Sequence, residues 1–153
     1  MKLTDLIRQE RFASPAQEAV LNVLATASWA TGRVAAALAP FGVTPSQYNV
    51  LRILRGAHPG RRTCTEVGDR LVDRTPDVTR LVDRLEREHL VERRRSTQDR
   101  RIVEVGITAQ GLALLATLEG PADAALDGLA ASLNADELGR LSELLEKMRS
   151  DVA

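Results

Sequence analysis

The sequence of 153 residues has little of the chemistry on which many small proteins depend. It contains one cysteine, which excludes an internal disulfide framework, and its two histidines, His58 and His89, are far apart. These three residues do not make a recognisable zinc site, which typically needs four ligands at short, regular spacings. No nucleophile stands near a candidate base, and there is no glycine-rich loop of the phosphate-binding type. We therefore expect neither an enzyme nor a protein with a metal or other cofactor.

The chain also lacks a long apolar run. The stretch that comes nearest to a membrane span is residues 19–32, and these fourteen uncharged residues include several polar ones. A helix needs about 20 mainly apolar residues to cross a bilayer, so this stretch is too short. The first residues have no compact apolar core followed by a small-residue cleavage site. We expect a cytoplasmic protein without a membrane partner.

Net charge is a third absence, because 21 basic residues balance 21 acidic ones. The balance is uneven along the chain: residues 1–60 and 61–101 each carry +3, whereas residues 102–153 carry −6. Residues 93–101 contain five arginines, and the one acidic residue of this segment is Asp99. The distribution of charge matters more than its sum for binding a polyanion, and a zero total keeps non-specific affinity for DNA moderate.

Capping patterns predict a pair of helices in the middle of the chain. Thr75, Pro76 and Asp77 supply a cap hydroxyl, a proline at the first helical position and an acid in the first turn. The apolar residues that follow have the spacing of one buried stripe, namely Val78, Leu81, Val82 and Leu85. The residues left facing outward are Asp77, Thr79, Arg80, Asp83 and Arg84.

A shorter helix is predicted just upstream. Thr63 and Glu66 have the spacing of a capping box, and Val67 and Leu71 would then face inward. A short helix, a turn and a longer helix form the arrangement that places a second helix in a DNA major groove about 12 Å wide. Arg80, on the exposed face of the second helix, is the best-placed residue to read bases.

The arginine-rich segment from Arg93 to Arg101 follows this helix pair and lies between two short β-prone runs. The triplet Arg93–Arg95 taken by itself fits a solvated strand face. Next to the capped helices, and with Asp99–Arg101 at its tip, it instead predicts a cationic hairpin that contacts nucleic acid. The strand after the tip is predicted from the alternation of Val103, Val105 and Ile107.

These motifs resemble the MarR family of bacterial transcription regulators, which are winged helix-turn-helix homodimers. The match is strongest from Thr44 to about Leu115. It rests, in chain order, on residues 78–86, Leu90–Arg93, Asp99–Arg101 and 107–111. The resemblance implies a mainly α fold with a small β-wing, in which the hairpin is the wing.

The family's wing motif, Asp, any residue, Arg, falls on Asp99 and Arg101. Similarity implies that Arg101 enters the minor groove and that Asp99 braces it. The sequence departs from the family at His89, where glycine is usual at the helix exit. Histidine tolerates a positive φ better than most residues, so we expect the turn to form with some strain.

Ten residues are the candidate contacts with double-stranded DNA. Arg74, Thr75 and Thr79 are expected near phosphates, whereas Arg70 and Arg84 fit a surface role equally well. The full set is Arg74, Thr75, Asp77, Thr79, Arg80, Arg94, Arg95, Asp99, Arg100 and Arg101.

Further helices are expected on both sides of this region. Their predicted beginnings are the caps at Ser14, Thr44, Thr108 and Asn134, and the first of them should run to about Ala39. The helix after Thr108 ends at Gly120 or continues, kinked, beyond Pro121. The last helix is expected to bury Leu138, Leu141, Leu144, Leu145 and Met148.

We expect residues 1–153 to form one domain, with a winged unit at 44–108 that closes its own small core and dimerisation helices at 1–43 and 109–153. The terminal helices carry more apolar surface than that unit needs, which favours a two-fold homodimer. Two recognition helices about 34 to 36 Å apart would then bind a pseudo-palindromic operator.

The sequence is compatible with more than one mode of regulation. The resemblance implies a repressor released by a small, often aromatic or phenolic effector, and Trp29, Arg33 and Tyr48 are candidates for the cleft that binds it. Large aromatic side chains are more often core residues. A redox-responsive regulator is an alternative, because a helix N-terminus lowers the pKa of a thiol such as that of Cys64, although a lone cysteine is commonly a small buried residue. A helical protein-interaction module without DNA binding is the other alternative.

Overall fold

A computed structural model describes residues 1–73 and 77–150 of the chain. The prediction of a mainly α fold with a small β-wing is confirmed, since most of these residues are helical and three short strands form one antiparallel sheet. In chain order the elements are α1 (Leu3–Ile7), α2 (Pro15–Leu38), a 3-10 turn (Ala39–Phe41), α3 (Pro45–Ala57), β1 (Arg62–Thr63), α4 (Cys64–Gly68), α5 (Val78–Arg87), β2 (Val91–Arg95), β3 (Val103–Ile107), α6 (Ala109–Ala130) and α7 (Ala135–Ser150).

Most helix beginnings are where the sequence predicts them. In each case the cap side chain accepts a hydrogen bond from the backbone amide three residues later, at 3.0 to 3.3 Å. This satisfies a first-turn amide that has no partner within its own helix. The confirmed caps are Ser14, Thr44, Thr63, Thr108 and Asn134.

Several local details differ from the predictions. The sequence did not suggest the short helix α1 or the strand β1, which pairs with β3 through Arg62 and Val105. Helix α4 ends at Gly68, so Leu71 lies in the turn after the helix, and its side chain is buried there. Of the two alternatives left open for α6, continuation beyond Pro121 is confirmed, because the helix runs through Pro121 to Ala130.

The core is larger than the winged unit. Buried residues of α3, α4, α5 and the sheet form one cluster, and this cluster continues into the end of α2 and into α6. Leu38 and Leu115, for example, are fully buried in it although they lie outside residues 44–108. The expectation that residues 44–108 close their own core is therefore wrong, because the flanking helices supply part of it.

The outer helices leave apolar side chains exposed. Within Pro15–Leu38 the buried residue is Leu38, and none of the residues of Ala135–Ser150 is buried. The prediction that α7 buries its leucines is thus wrong for a single chain, in which Leu145 is half-buried and Leu138, Leu141, Leu144 and Met148 are exposed. No helix in the described ranges, 1–73 and 77–150, has the length and apolar character needed to cross a membrane.

The junction between α5 and β2 fixes where the wing begins. His89 has a φ of +58°, and the helix ends as predicted with a left-handed residue at the position where the family usually has glycine. The amide of Leu90 donates to the carbonyl oxygen of Leu85 at 2.9 Å, and the Thr108 hydroxyl donates to the carbonyl oxygen of His89 at 2.7 Å. Helix α5, strand β2 and the start of α6 therefore meet at one hydrogen-bonded corner.

Candidate nucleic-acid interface

Helix α5 begins later than the capping pattern suggests. Its cap is Asp77, whose carboxylate accepts a hydrogen bond from the backbone amide of Arg80 at 3.3 Å, so Asp77 is not an acid within the first turn. The proposed cap at Thr75 is therefore wrong for this helix: a carboxylate caps the first turn as well as a hydroxyl does and adds charge that favours the helix N-terminus. Thr75 and Pro76, like the candidate DNA contact Arg74, lie outside the described residues.

One side of α5 packs on the core and the other faces solvent. Val82 and Leu85 are fully buried, and Val78 and Leu81 are half-buried. Among the predicted DNA contacts on this helix, Asp77, Thr79 and Arg80 are exposed. Arg84 is exposed as well, with its Nε 3.6 Å from a carboxylate oxygen of Glu88. The predicted division of the helix into a buried stripe and an outward polar face is confirmed, except at Asp83, which is half-buried and binds Arg93 of the wing.

The wing is the antiparallel hairpin of β2 and β3. The strands pair Val91 with Ile107 and Arg95 with Val103, which places residues 96–102 at the tip. Asp99 organises that tip, because its carboxylate accepts the backbone amide of Arg101 at 2.9 Å and its carbonyl oxygen accepts the amide of Ile102 at 2.9 Å. Asp99 thus fixes the backbone at Arg101, whose side chain is exposed.

The arginines of β2 have different surroundings. Arg94 is 64% exposed, and its guanidinium lies 3.1 Å from a carboxylate oxygen of Glu92. Arg61 binds the other carboxylate oxygen of Glu92 at 2.5 Å. The hydrogen bond from Arg61, followed by the charges of both arginines, lowers the pKa of the Glu92 carboxyl below its ordinary value. Arg95, like Arg100 and Arg101 at the tip, is exposed.

Arg93 points the other way, towards helix α5. Its guanidinium lies 2.6 Å from an oxygen of Asp83 and 2.6 Å from an oxygen of Glu86, and its backbone amide donates to Glu86 at 3.0 Å. Desolvation opposes the charge of Arg93, but the hydrogen bonds and charges of the two carboxylates together outweigh it and raise the pKa of the guanidinium.

The sequence prediction did not identify this cluster of Arg93, Asp83 and Glu86. A usable signal was present in the alternation of side chains along a strand. Val91 is apolar and begins β2, so Arg93 lies on the same face, and that face meets the helix just before it. The spacing of Asp83 and Glu86, three residues apart, places both carboxylates on one side of the helix.

The candidate effector residues do not share one cavity. A cavity of about 330 Å³ lies between α1 and α2, and Leu3, Leu6, Thr26 and Trp29 are among the side chains that line it. Among the described residues that line this cavity, Arg33 and Tyr48 are not found. Arg33 is exposed on α2.

Tyr48 is buried on α3 instead. The guanidinium carbon of Arg52 lies 5.8 Å from the centre of the Tyr48 ring, within the range of a cation–π contact. Burial, the largest influence, raises the pKa of the Tyr48 hydroxyl. Helices α3 and α6 are also joined nearby by an ion pair between Arg55 and Glu119.

Cys64 is the first residue of α4. It is partly buried and packs against the core cluster. Within residues 1–73 and 77–150, no three histidine, cysteine or acidic side chains are close enough together to hold a metal ion.

Comparisons with known proteins agree with this arrangement. Residues 41–102 match a family model described as the MarR family. The transcriptional regulator MhqR of Bacillus subtilis is 29% identical over 107 residues, which cover 70% of this chain and 72% of MhqR.

Two solved structures extend the likeness to nearly the whole chain. A MarR transcription factor from Planctomyces limnophilus is 39% identical, with a TM-score of 0.68 over 89% of this chain and 98% of that one. A variant of E. coli MarR in complex with operator DNA is 29% identical, with a TM-score of 0.74 over 82% of this chain and 89% of that one. The chain thus belongs to the MarR family of winged helix-turn-helix transcription regulators.

Proposed function

We propose that this protein is a homodimeric, sequence-specific DNA-binding repressor. The observation that carries the proposal is the placement of α5 beside the wing: an exposed polar helix face lies next to a hairpin whose tip presents Arg100 and Arg101. A helix of this kind fits the major groove, and a cationic hairpin reaches the adjacent backbone or minor groove. The E. coli relative that was solved with operator DNA supports the same use of the fold.

Individual side chains have distinct roles in this proposal. Arg80 reads bases in the major groove, since it is exposed near the beginning of α5. Arg101 enters the minor groove, and Asp99 holds its backbone in place. The remaining candidates bind phosphates or support the register on the duplex, and they are Arg74, Thr75, Asp77, Thr79, Arg94, Arg95 and Arg100.

The dimer is proposed from the exposed apolar side chains of the outer helices. Leu24 on α2, Leu126 on α6 and Leu144 on α7 are all more than 40% exposed in the single chain. Apolar surface of this extent is best explained by burial against a second copy. We assign residues 1–43 and 109–153 to dimerisation and residues 44–108 to DNA binding, within one domain that shares a core. Two recognition helices about 34 to 36 Å apart then require a pseudo-palindromic site.

The experiment that tests DNA binding is selection of genomic fragments by the purified protein, followed by titration of a selected duplex at several salt concentrations. Affinity should fall steeply with salt because bound phosphates release counterions. Arg101→Ala should weaken binding to most sequences, whereas Arg80→Ala should also reduce the preference for the selected site. Arg140→Ala removes one exposed arginine from α7 and serves as the charge-matched control. Sedimentation checks that this variant is still a dimer, and its affinity should then stay near the wild-type value.

Two results would count against these assignments. A wild-type protein that binds no duplex at low salt would favour the protein-interaction alternative. Equal losses on every sequence for Arg80→Ala and Arg101→Ala would remove the distinction between base reading and backbone binding.

We further propose that a small aromatic effector releases the repressor. The cavity beside Trp29 supports this, because it is largely apolar and opens next to the helices proposed to set the spacing of the two subunits. An effector that lowers DNA affinity a hundredfold must favour the binding-incompetent dimer by about 2.8 kcal/mol, which one small pocket can supply. Arg33 and Tyr48 remain proposed contacts in the assembled dimer.

A screen of small aromatic compounds tests the effector, with melting temperature and DNA affinity as readouts. A true ligand should shift both in the wild type and neither in Trp29→Ala. The redox alternative is tested alongside it: loss of DNA binding on mild oxidation in the wild type but not in Cys64→Ser would favour that alternative. No response to any compound or oxidant would refute regulation by either route.

A further inference from the structure

One arginine of the basic run is turned away from the wing's outer surface. Arg93 has a side chain 23% exposed, compared with 64% for Arg94. Its guanidinium binds Asp83 and Glu86, each at 2.6 Å, and it also donates to the carbonyl oxygen of Thr79 at 3.4 Å. The planar fork of a guanidinium is suited to such simultaneous binding of two carboxylates.

The position of the Asp83 and Glu86 carboxylates matters for DNA binding. Asp83 and Glu86 lie on the side of α5 that faces the wing, between the two elements proposed to contact DNA. Without a cation beside them, two negative charges per subunit would stand close to the phosphates of a bound duplex. Like charges juxtaposed at an interface are strongly unfavourable.

The same contacts set the position of the wing. The backbone amide of Arg93 donates to Glu86, so the strand itself, and not just its side chain, is tied to the helix. The bond to the carbonyl oxygen of Thr79 reaches the first turn of α5. Arg93 therefore ties strand β2 to α5 at Thr79, Asp83 and Glu86.

We propose that Arg93 is a positioning residue for DNA recognition: it fastens β2 to α5 and neutralises Asp83 and Glu86, and it does not itself bind DNA. The proposal rests on the DNA-binding function proposed above. It divides the arginine run into a structural member, Arg93, and the outward members Arg94 and Arg95.

A double-mutant cycle on a selected operator duplex tests this division. Arg93→Ala is made in the wild type and in a background with Asp83→Asn and Glu86→Gln, and the dissociation constants are compared. In the wild type we expect a loss of about tenfold to a hundredfold, because two carboxylates are left uncompensated near DNA. In the neutral background the loss should shrink to about threefold or less, since no carboxylate is left to repel the phosphates.

Arg94→Ala is the matched control in the same two backgrounds. Its neighbour is Glu92 and not Asp83 or Glu86, so its effect on affinity should be the same in both. Thermal melting of every variant shows whether each is folded at the temperature of the binding assay. Should Arg93→Ala melt below that temperature, Arg93→Gln takes its place in both backgrounds.

The possible outcomes separate this inference from the proposed function. A wild-type protein that binds no duplex overturns DNA binding itself. With the wild type binding, an equal loss for Arg93→Ala in both backgrounds means that Arg93 contacts DNA directly and overturns the positioning role. An unchanged affinity for Arg93→Ala in the wild type overturns it as well.

Discussion

Replacing Gly111 with alanine should destabilise the fold, although alanine is the better helix former. Gly111 is the third residue of α6 and is buried. A Cβ atom there would collide with the carbonyl oxygen of Leu90 and lie 2.8 Å from Cγ1 of Ile107. The Leu90 oxygen has little freedom to move, because it accepts the backbone amide of Thr108 at 3.1 Å and shares the Thr108 hydroxyl proton, also at 3.1 Å, with the carbonyl oxygen of His89.

The size of the effect follows from three contributions. Inserting a methyl group into a packed site costs about 1 to 3 kcal/mol. Displacing the Leu90 carbonyl also weakens its hydrogen bonds, each worth about 1 kcal/mol. Alanine returns up to about 1 kcal/mol through its higher helix propensity. We expect a net loss of about 2 to 3 kcal/mol, which for a chain of this length lowers the melting temperature by about 4 to 12 °C.

Melting followed by circular dichroism, at one fixed protein concentration, measures this loss. Gly56→Ala is the control, because Gly56 lies in α3 and, among the described residues, no atom outside its own stretch of helix comes within 4 Å of a Cβ built there. That substitution should leave stability unchanged or raise it by up to about 1 kcal/mol. A Gly111→Ala protein that melts at or above the wild type would refute the argument from close contact.

Four further outcomes are expected. His89→Gly should raise the free energy of unfolding by about 1 kcal/mol in urea titrations, because it relieves a φ of +58° in a non-glycine residue. Thr63→Ala should lower it by about 1 kcal/mol through loss of the α4 cap. Hydrogen bonds from the amide and hydroxyl of Thr63 hold the pKa of the Glu66 carboxyl below its ordinary value of 4.5. The stability that Glu66 contributes is therefore present above pH 4.5 and is lost as the pH falls below it. Glu66→Gln should not show this loss of stability at low pH. Leu144→Glu should shift the sedimentation of the protein towards that of a monomer, whereas an unchanged dimer would exclude α7 from the interface.

Helix beginnings could be predicted from the sequence because a cap depends on residues three positions apart. Thr44 and Thr63 meet the glutamine or glutamate at that spacing whatever the rest of the chain does, and both capping boxes form. At residues 75–77 the same rule predicted Thr75 as the cap and Asp77 as an acid in the first turn. Local chemistry permits either as a cap, and Asp77 holds that position in the structure.

Features that depend on distant partners were beyond the sequence pattern. The two residues of β1 form a strand because β3, about forty residues later, offers them an edge. The need for glycine at position 111 comes from a carbonyl oxygen 21 residues earlier in the chain. Helix periodicity also identified the apolar side of α7 but not what covers it, and in a single chain that side remains exposed.

The arginine run shows why counting charges along a sequence overstates the charge that a surface presents. Successive residues of a strand point to opposite faces, so neighbouring arginines on β2 have different electrostatic partners. Arg93 meets two carboxylates of α5, and Arg94 shares Glu92 with Arg61. The positive potential of the hairpin is therefore weakest at its base and strongest towards residues 95–101. The acidic residue in that segment is Asp99, and its carboxylate accepts a hydrogen bond from the backbone of the turn. A gradient of this kind directs the tip of the wing, and not its whole length, towards a polyanion.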